Sequence, residues 1–172
     1  ACVISGDKPV FLTVTDILRL STENTRELLK KELEIRKKHL SEKLHFATLE
    51  KIFIEKRIYR KIEECETWEA VLKAIETGQK PYLKLLVREI TPEDIIKLTE
   101  IRIKRISKFD SNKADEAIAG LKDEIASIED NLTNLTDFTV NYFEELVKKY
   151  GKGKERKTEI RTFDTIEAKM VA

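Results

Sequence analysis

Chain breakers and cross-links are scarce. Five glycines and three prolines in 172 residues leave too few turn-formers for a barrel or sandwich of many short strands. Cys2 and Cys65 are too few and too far apart in sequence for a disulfide framework or a metal site, so a reducing compartment is expected. No apolar run approaches the ~20 residues of a membrane span, and no signal peptide opens the chain. The expected location is therefore cytoplasmic, with no membrane partner. An excess of one charge sign is also missing: 33 basic residues against 32 acidic give a net charge of +1. No global field draws the chain to nucleic acid, and any basic function must be local. The only methionine is Met170 and the chain starts at Ala1-Cys2, which leads to the expectation of a piece of a longer protein.

What is abundant is charge, 38% of residues, beside 41% hydrophobic residues, a mixture suited to long solvated helices. Between Ala114 and Leu146 the residues Ala114, Ile118, Leu121, Ile125, Ile128, Leu132, Leu135, Thr139, Tyr142 and Leu146 recur at alternating steps of four and three. Such a seam keeps one apolar edge in line over many turns and is stable in water only against a second helix. That second helix is predicted over 15–50, where Leu28, Leu29, Leu33, Leu40 and Leu44 fall at helical spacing among Lys, Arg and Glu. Thr13-Val14-Thr15-Asp16 is a capping-box pattern at its start. Two arms of similar length, at 15–50 and 109–150, are most simply an antiparallel pair closed at one end by the segment 51–108. The fold class expected is all-α: a long antiparallel coiled-coil arm capped by a small helical globular tip. Residues 1–14 would be a lead-in, read as a connection or short strand, and 151–172 a return segment.

Within 51–108, Trp68, Val71, Leu72 and Ile75 form one apolar set stopping at Gly78, and Pro81 starts a short piece with Tyr82 and Leu86. Thr91-Pro92-Glu93-Asp94 is a strong helix start: Thr91 can cap, Pro92 needs no amide partner, and the acids suit the positive helix end. On one continuous helix from Thr91 to Ile106, Ile95, Ile96, Ile103 and Ile106 share an arc of about 100°, while Leu98 and Ile101 fall outside it. The first four are expected in the tip core. Leu98, Ile101 and Arg102, with Tyr82 and Leu86, are expected at a two-fold interface.

Other candidates read as structure. His39 and His45 are six residues apart, about 120° around a helix, and cannot share a metal from one face; solvated histidines are expected. Tyr59, Tyr82, Tyr142 and Tyr150 lack the neighbours that activate a nucleophile. Gly151-Lys152-Gly153-Lys154 lacks the spacer of a phosphate loop and reads as a helix stop. Lys152, Lys154, Arg156, Lys157 and Arg161, beside Lys148 and Lys149, form the one basic group suited to phosphate contact.

Three stretches, in order, carry a resemblance. The segment from Thr91 to Asp110, through Ile101, Arg102, Ile103, Arg105, Ile106 and Ser107, resembles the helix and turn of bacterial type IIA DNA topoisomerase A subunits, gyrase A and topoisomerase IV A. Glu34 to Leu40 is similar to that family's descending arm, and Lys148 to Ile160 to its "K-Y-G-D-x-R-R-T-x-I" end. Ile95, Ile96 and Thr99 stand where the family often has Gln-Ala and Asp, and the stretch from Ile52 to Thr67 looks longer than in gyrase; the topoisomerase IV branch is favoured. The resemblance implies the arm and exit gate (C-gate) of an A subunit. Two copies would meet tip to tip as a homodimer around a cavity through which a transported double-stranded DNA leaves. It also implies a partner B subunit carrying the ATPase. ATP and magnesium would be used by other domains; no catalytic, cofactor-binding or metal residue is expected in this piece, because the segment with the catalytic tyrosine is absent. The alternative expectation is a stand-alone coiled-coil adaptor without a DNA role.

Overall fold

The computed structural model describes residues 2–155 and 157–158. The chain divides between Leu135 and Thr136 into two compact units.

The first unit opens with a β-hairpin. Strand β1 (Cys2–Ser5) pairs antiparallel with β2 (Lys8–Phe11), Ser5 opposite Lys8. Gly6 and Asp7 turn the chain with φ of 53° and 64°, the doubly left-handed geometry whose twist suits a two-residue hairpin. A Gly-Asp pair between two short runs is the signal that marks it.

Helix α1 (Val14–Glu55) follows without a gap in its 42 residues. Thr13 caps it, accepting from the Asp16 amide at 3.2 Å, so the sequence-predicted start holds. Its end lies beyond the expected Glu50 because Ile52, Phe53 and Ile54 are still helical and already buried in the tip. Lys56 closes the helix by donating its amide to Ile52, and Arg57 leaves in the left-handed region at φ 53°. Helix α5 (Ser111–Thr133) returns beside α1. Lys51 pairs with Asp115, Lys37 with Glu129 at 2.8 Å, and Arg36 with Glu124 at 3.8 Å. The partner of Lys51 lies near the start of α5 and those of Lys37 and Arg36 lie farther along it, so the two helices are antiparallel. Leu33, Leu40 and Leu44 are buried on α1, while Ala114, Ile118, Leu121, Ile125, Ile128 and Leu132, the expected seam, are the more buried stripe of α5.

The second arm is not one helix. Asn134, at φ −101° and ψ 40°, ends α5, and α6 (Leu135–Tyr150) begins at the next residue. The Asn134 backbone amide donates to the Asp130 carbonyl at 2.8 Å and its side chain to the Asp130 carboxylate at 3.0 Å. The heptad spacing runs through this point, so hydrophobic periodicity gives no warning of it.

Between the arm helices sits the tip. A short 3-10 helix (Ile58–Ile62) leads to α2 (Trp68–Gln79), capped by Thr67; a second 3-10 helix (Lys80–Leu85), with Pro81 at its start, leads to α3 (Pro92–Thr99) and α4 (Ile103–Ser107). Leu49, Ile52, Phe53, Ile54, Ile58, Ile75, Ile95 and Leu98 form one buried cluster. Phe53 and Tyr59 pack tilted at 6.2 Å. Gly78 lies inside α2 and does not terminate it. A Cβ there would come within 2.7 Å of the buried Ile58 side chain, so this glycine serves close packing. Gln79, fully buried, donates to the Leu49 carbonyl at 3.3 Å and ties α2 to α1.

The second unit is described as α6 followed by a turn. Its glycine stop is steric: a Cβ on Gly151 would stand 2.4 Å from the Val147 carbonyl oxygen. Gly153, at φ 79°, donates its amide to Glu155 at 3.1 Å.

Candidate functional site

Helix α3 is fixed at its first turn. Thr91 accepts from the Asp94 amide at 3.3 Å, and Asp94 accepts in return from the Thr91 amide at 3.0 Å, a reciprocal capping box. The buried Asp94 carboxylate does more than cap. Arg88, in the segment before α3, donates to its two oxygens at 2.6 and 3.1 Å, and also holds Glu42 of α1 in a two-point grip at 3.0 and 2.8 Å. One guanidinium therefore joins arm to tip, using the planar fork that lysine lacks. Burial pushes the Asp94 carboxyl up, but donation from Arg88 and Thr91 outweighs it and holds the group well below the usual carboxylate range. The same hydrogen bonds, Glu42 first, push the Arg88 guanidinium up, and Arg88 lowers Glu42.

His45 of α1 completes this joint. It is 1% exposed, which corrects the expectation of a solvated histidine: the charged helix around it hides that α3 closes over this face. Its Nε2 stands 3.4 Å from Asp94, and its Nδ1 has no hydrogen-bond partner among the described residues. Burial, then Arg88, lowers its pKa against the pull of Asp94, favouring the neutral ring. His39 is exposed, as expected of a solvated histidine.

Outward from this joint, the structure rearranges the sequence-predicted interface. The chain leaves helical geometry at Glu100 to Arg102, between α3 and α4, so the angular phase counted from Ile95 does not carry to Ile103. Leu98 is 1% exposed and part of the core, and cannot offer a free surface. Tyr82, Leu86 and Ile101 are half-buried against that core, and Arg102 is exposed. Of the four isoleucines assigned to the core, Ile95 is buried and Ile106 half-buried. Ile96 is exposed, and Ile103 is 83% exposed. Leu83, Leu85 and Val87 are exposed too. Sequence reasoning misses these as surface groups, although the 3-10 helix spanning only Lys80–Leu85 offers no second face to bury both Leu83 and Leu85. Lys56 stands over the Tyr82 ring at 5.5 Å, a cation–π contact from the end of α1.

Of the basic group after α6, Lys152, Lys154 and Lys157 are exposed; Arg156 and Arg161 lie outside the described residues. Among the described residues no cluster of His, Cys, Asp and Glu suited to a metal is present, and no helix is long and apolar enough to cross a membrane.

Comparison with known proteins identifies the family. The chain is 33% identical over 170 residues to the DNA topoisomerase 4 A subunit of Borreliella burgdorferi, an alignment covering 99% of this chain and 27% of that protein; the chain thus spans about a quarter of that relative's length. The family model for the A subunit of DNA gyrase/topoisomerase IV matches residues 1–146. With most of its length matched, the chain belongs to the DNA gyrase/topoisomerase IV A-subunit family.

Proposed function

We propose that this chain is the arm and exit gate of a type IIA topoisomerase A subunit, and that its tip docks on the tip of a second copy. The observation that carries the reading is where exposed apolar side chains lie in the tip. Leu83, Leu85 and Val87 before α3, Ile96 and Ile103 on α3 and α4, and Trp68 at the start of α2 are exposed around the buried tip core. Apolar groups that join into one exposed patch, unlike single exposed residues, mark a protein contact. Tyr82, Leu86, Ile101 and Arg102 complete the interface, and Leu98 supports it from beneath. A modest patch suits a contact that must close and reopen.

In this reading the transported duplex leaves between the two tips, while the arms keep the protomers joined during ATP-dependent strand passage. ATP is bound by a separate B subunit, magnesium is used through other domains of the complex, and the catalytic tyrosine belongs to another segment of the A subunit. Lys152, Lys154 and Lys157, with Arg156 and Arg161, would meet DNA phosphates where the arm returns to the body.

Sedimentation velocity tests the gate. The chain should sediment as a dimer, and Ile103→Asp or Leu85→Asp should convert it to a folded monomer. A monomer at every concentration, or a dimer that survives both substitutions, would remove the proposal.

A further inference from the structure

A cleft of about 890 Å³ opens where the tip meets the arm, lined by α1, the α3–α4 segment and the start of α5. We propose that it binds an amphipathic anion: a compact apolar body carrying a carboxylate, sulfonate or phosphate.

The lining supplies both halves of such a ligand's complement. Phe46, Ile101 and Phe109, half-buried against the core, give it apolar wall. Lys97, Lys104 and Lys108 stand around that wall and form no ion pair among the described residues. Three acids line the cleft beside Lys97, Arg102, Lys104, Arg105, Lys108 and Lys113. Glu50 is buried under a two-point grip from Arg105, Asp110 caps α5 by accepting from the Asn112 and Lys113 amides at 3.1 and 3.3 Å, and Glu100 is exposed. The local balance is therefore positive in a chain whose net charge is +1, and a concave site concentrates that field. Its volume is that of pockets that take small molecules, where apolar lining supplies affinity and a few charges fix orientation. A bare phosphate ridge of duplex DNA would gain nothing from the aromatic wall, which favours the amphiphile over the polymer.

Ile101 and Arg102 line this cleft and also belong to the interface proposed above, so an occupant would touch the gate. That consequence rests on the proposed function; the binding itself does not.

The test uses 8-anilinonaphthalene-1-sulfonate as probe, titrated by fluorescence into the chain in the Ile103→Asp background, so that neither dimerisation nor that exposed apolar group contributes. Saturable binding at one site per chain is expected. Lys104→Glu with Lys108→Glu should weaken it about tenfold, with an unchanged melting temperature, and the uncharged probe N-phenyl-1-naphthylamine should bind more weakly. Binding that the charge reversal leaves unchanged, binding abolished by Leu85→Ser, or displacement by a short DNA duplex would each overturn the proposal. Should the probe bind as expected while the wild-type chain stays monomeric, the site stands and only its link to the gate falls.

Discussion

The arm and the tip are held together by different means. Along the arm, α1 and α5 share one narrow apolar stripe flanked by ion pairs such as Lys37–Glu129 and Arg36–Glu124, whose side chains are all more than a third exposed. In the tip, Leu49, Phe53, Ile58, Ile75 and Leu98 are almost wholly removed from water, and buried charge is found where it is gripped, at Asp94 and Glu50. Solvated pairs set register and contribute little net stability, whereas a closed core loses contacts on every side when a residue is truncated. A long rod that must keep its direction and a small head that must keep its shape therefore place different demands on their sequences.

Truncation should expose the contrast most strongly. Phe53→Ala in the tip is expected to cost about 3–5 kcal/mol, and Leu40→Ala in the arm, with solvent on both sides of its stripe, about 2 kcal/mol. Urea unfolding of both variants checks the order. The joint between the two regions comes next. Asp94→Ala removes half of the capping box and leaves Arg88 with Glu42 and the Glu89 carbonyl, for a loss of about 3 kcal/mol. Arg88→Lys should recover less than half of the wild-type margin, because an ammonium cannot reproduce the two-point grip.

Acid should loosen the same joint by a smaller amount. His45 is lowered in the folded chain, so the unfolded chain binds its proton first. Stability should fall as pH drops through the ordinary histidine range near 6.5, by no more than about 1.4 kcal/mol for each pH unit. Asp94, also lowered, adds stability that begins to be lost as pH falls into the usual carboxylate range and continues to be lost well below it. Melting temperatures of the chain and of His45→Gln between pH 7.5 and 5.5 separate the two, since the variant should lose most of the slope in that window. The smallest effect belongs to the arm surface: Lys37→Ala should change stability by less than about 0.5 kcal/mol, and a larger loss would mean that exposed pairs carry a real share of the rod's stability.

How much of this is legible in the sequence depends on the range of the interaction. Thr13 with Asp16 and Thr91 with Asp94 are three residues apart, and both helix starts are readable. The seam from Ala114 to Leu132 is readable because periodicity repeats locally. The breaks at Asn134 and at Glu100 to Arg102 are not, because apolar spacing continues across each of them. Counting straight through the second break sends Leu98 outward and Ile103 inward, the reverse of what is found. The clamp of Arg88 on Glu42 spans 46 residues, and nothing near Arg88 distinguishes it from the other cations of the chain. Burial of His45 likewise depends on where α3 lands. The hairpin is marked locally by Gly6-Asp7, yet its strands are so short that the sequence supports no more than a connection or a single strand there.

The contrast between arm and tip is decided most directly by asking which region touches a second copy. In a background with Cys2→Ser and Cys65→Ser, Ile103→Cys on the tip and Ile35→Cys on the exposed face of the arm, 70% open to solvent, can each be treated with a short bifunctional maleimide. A gate that closes through its tip predicts a covalent dimer from Ile103→Cys and none from Ile35→Cys. Cross-linking through residue 35 with none through residue 103 would contradict it.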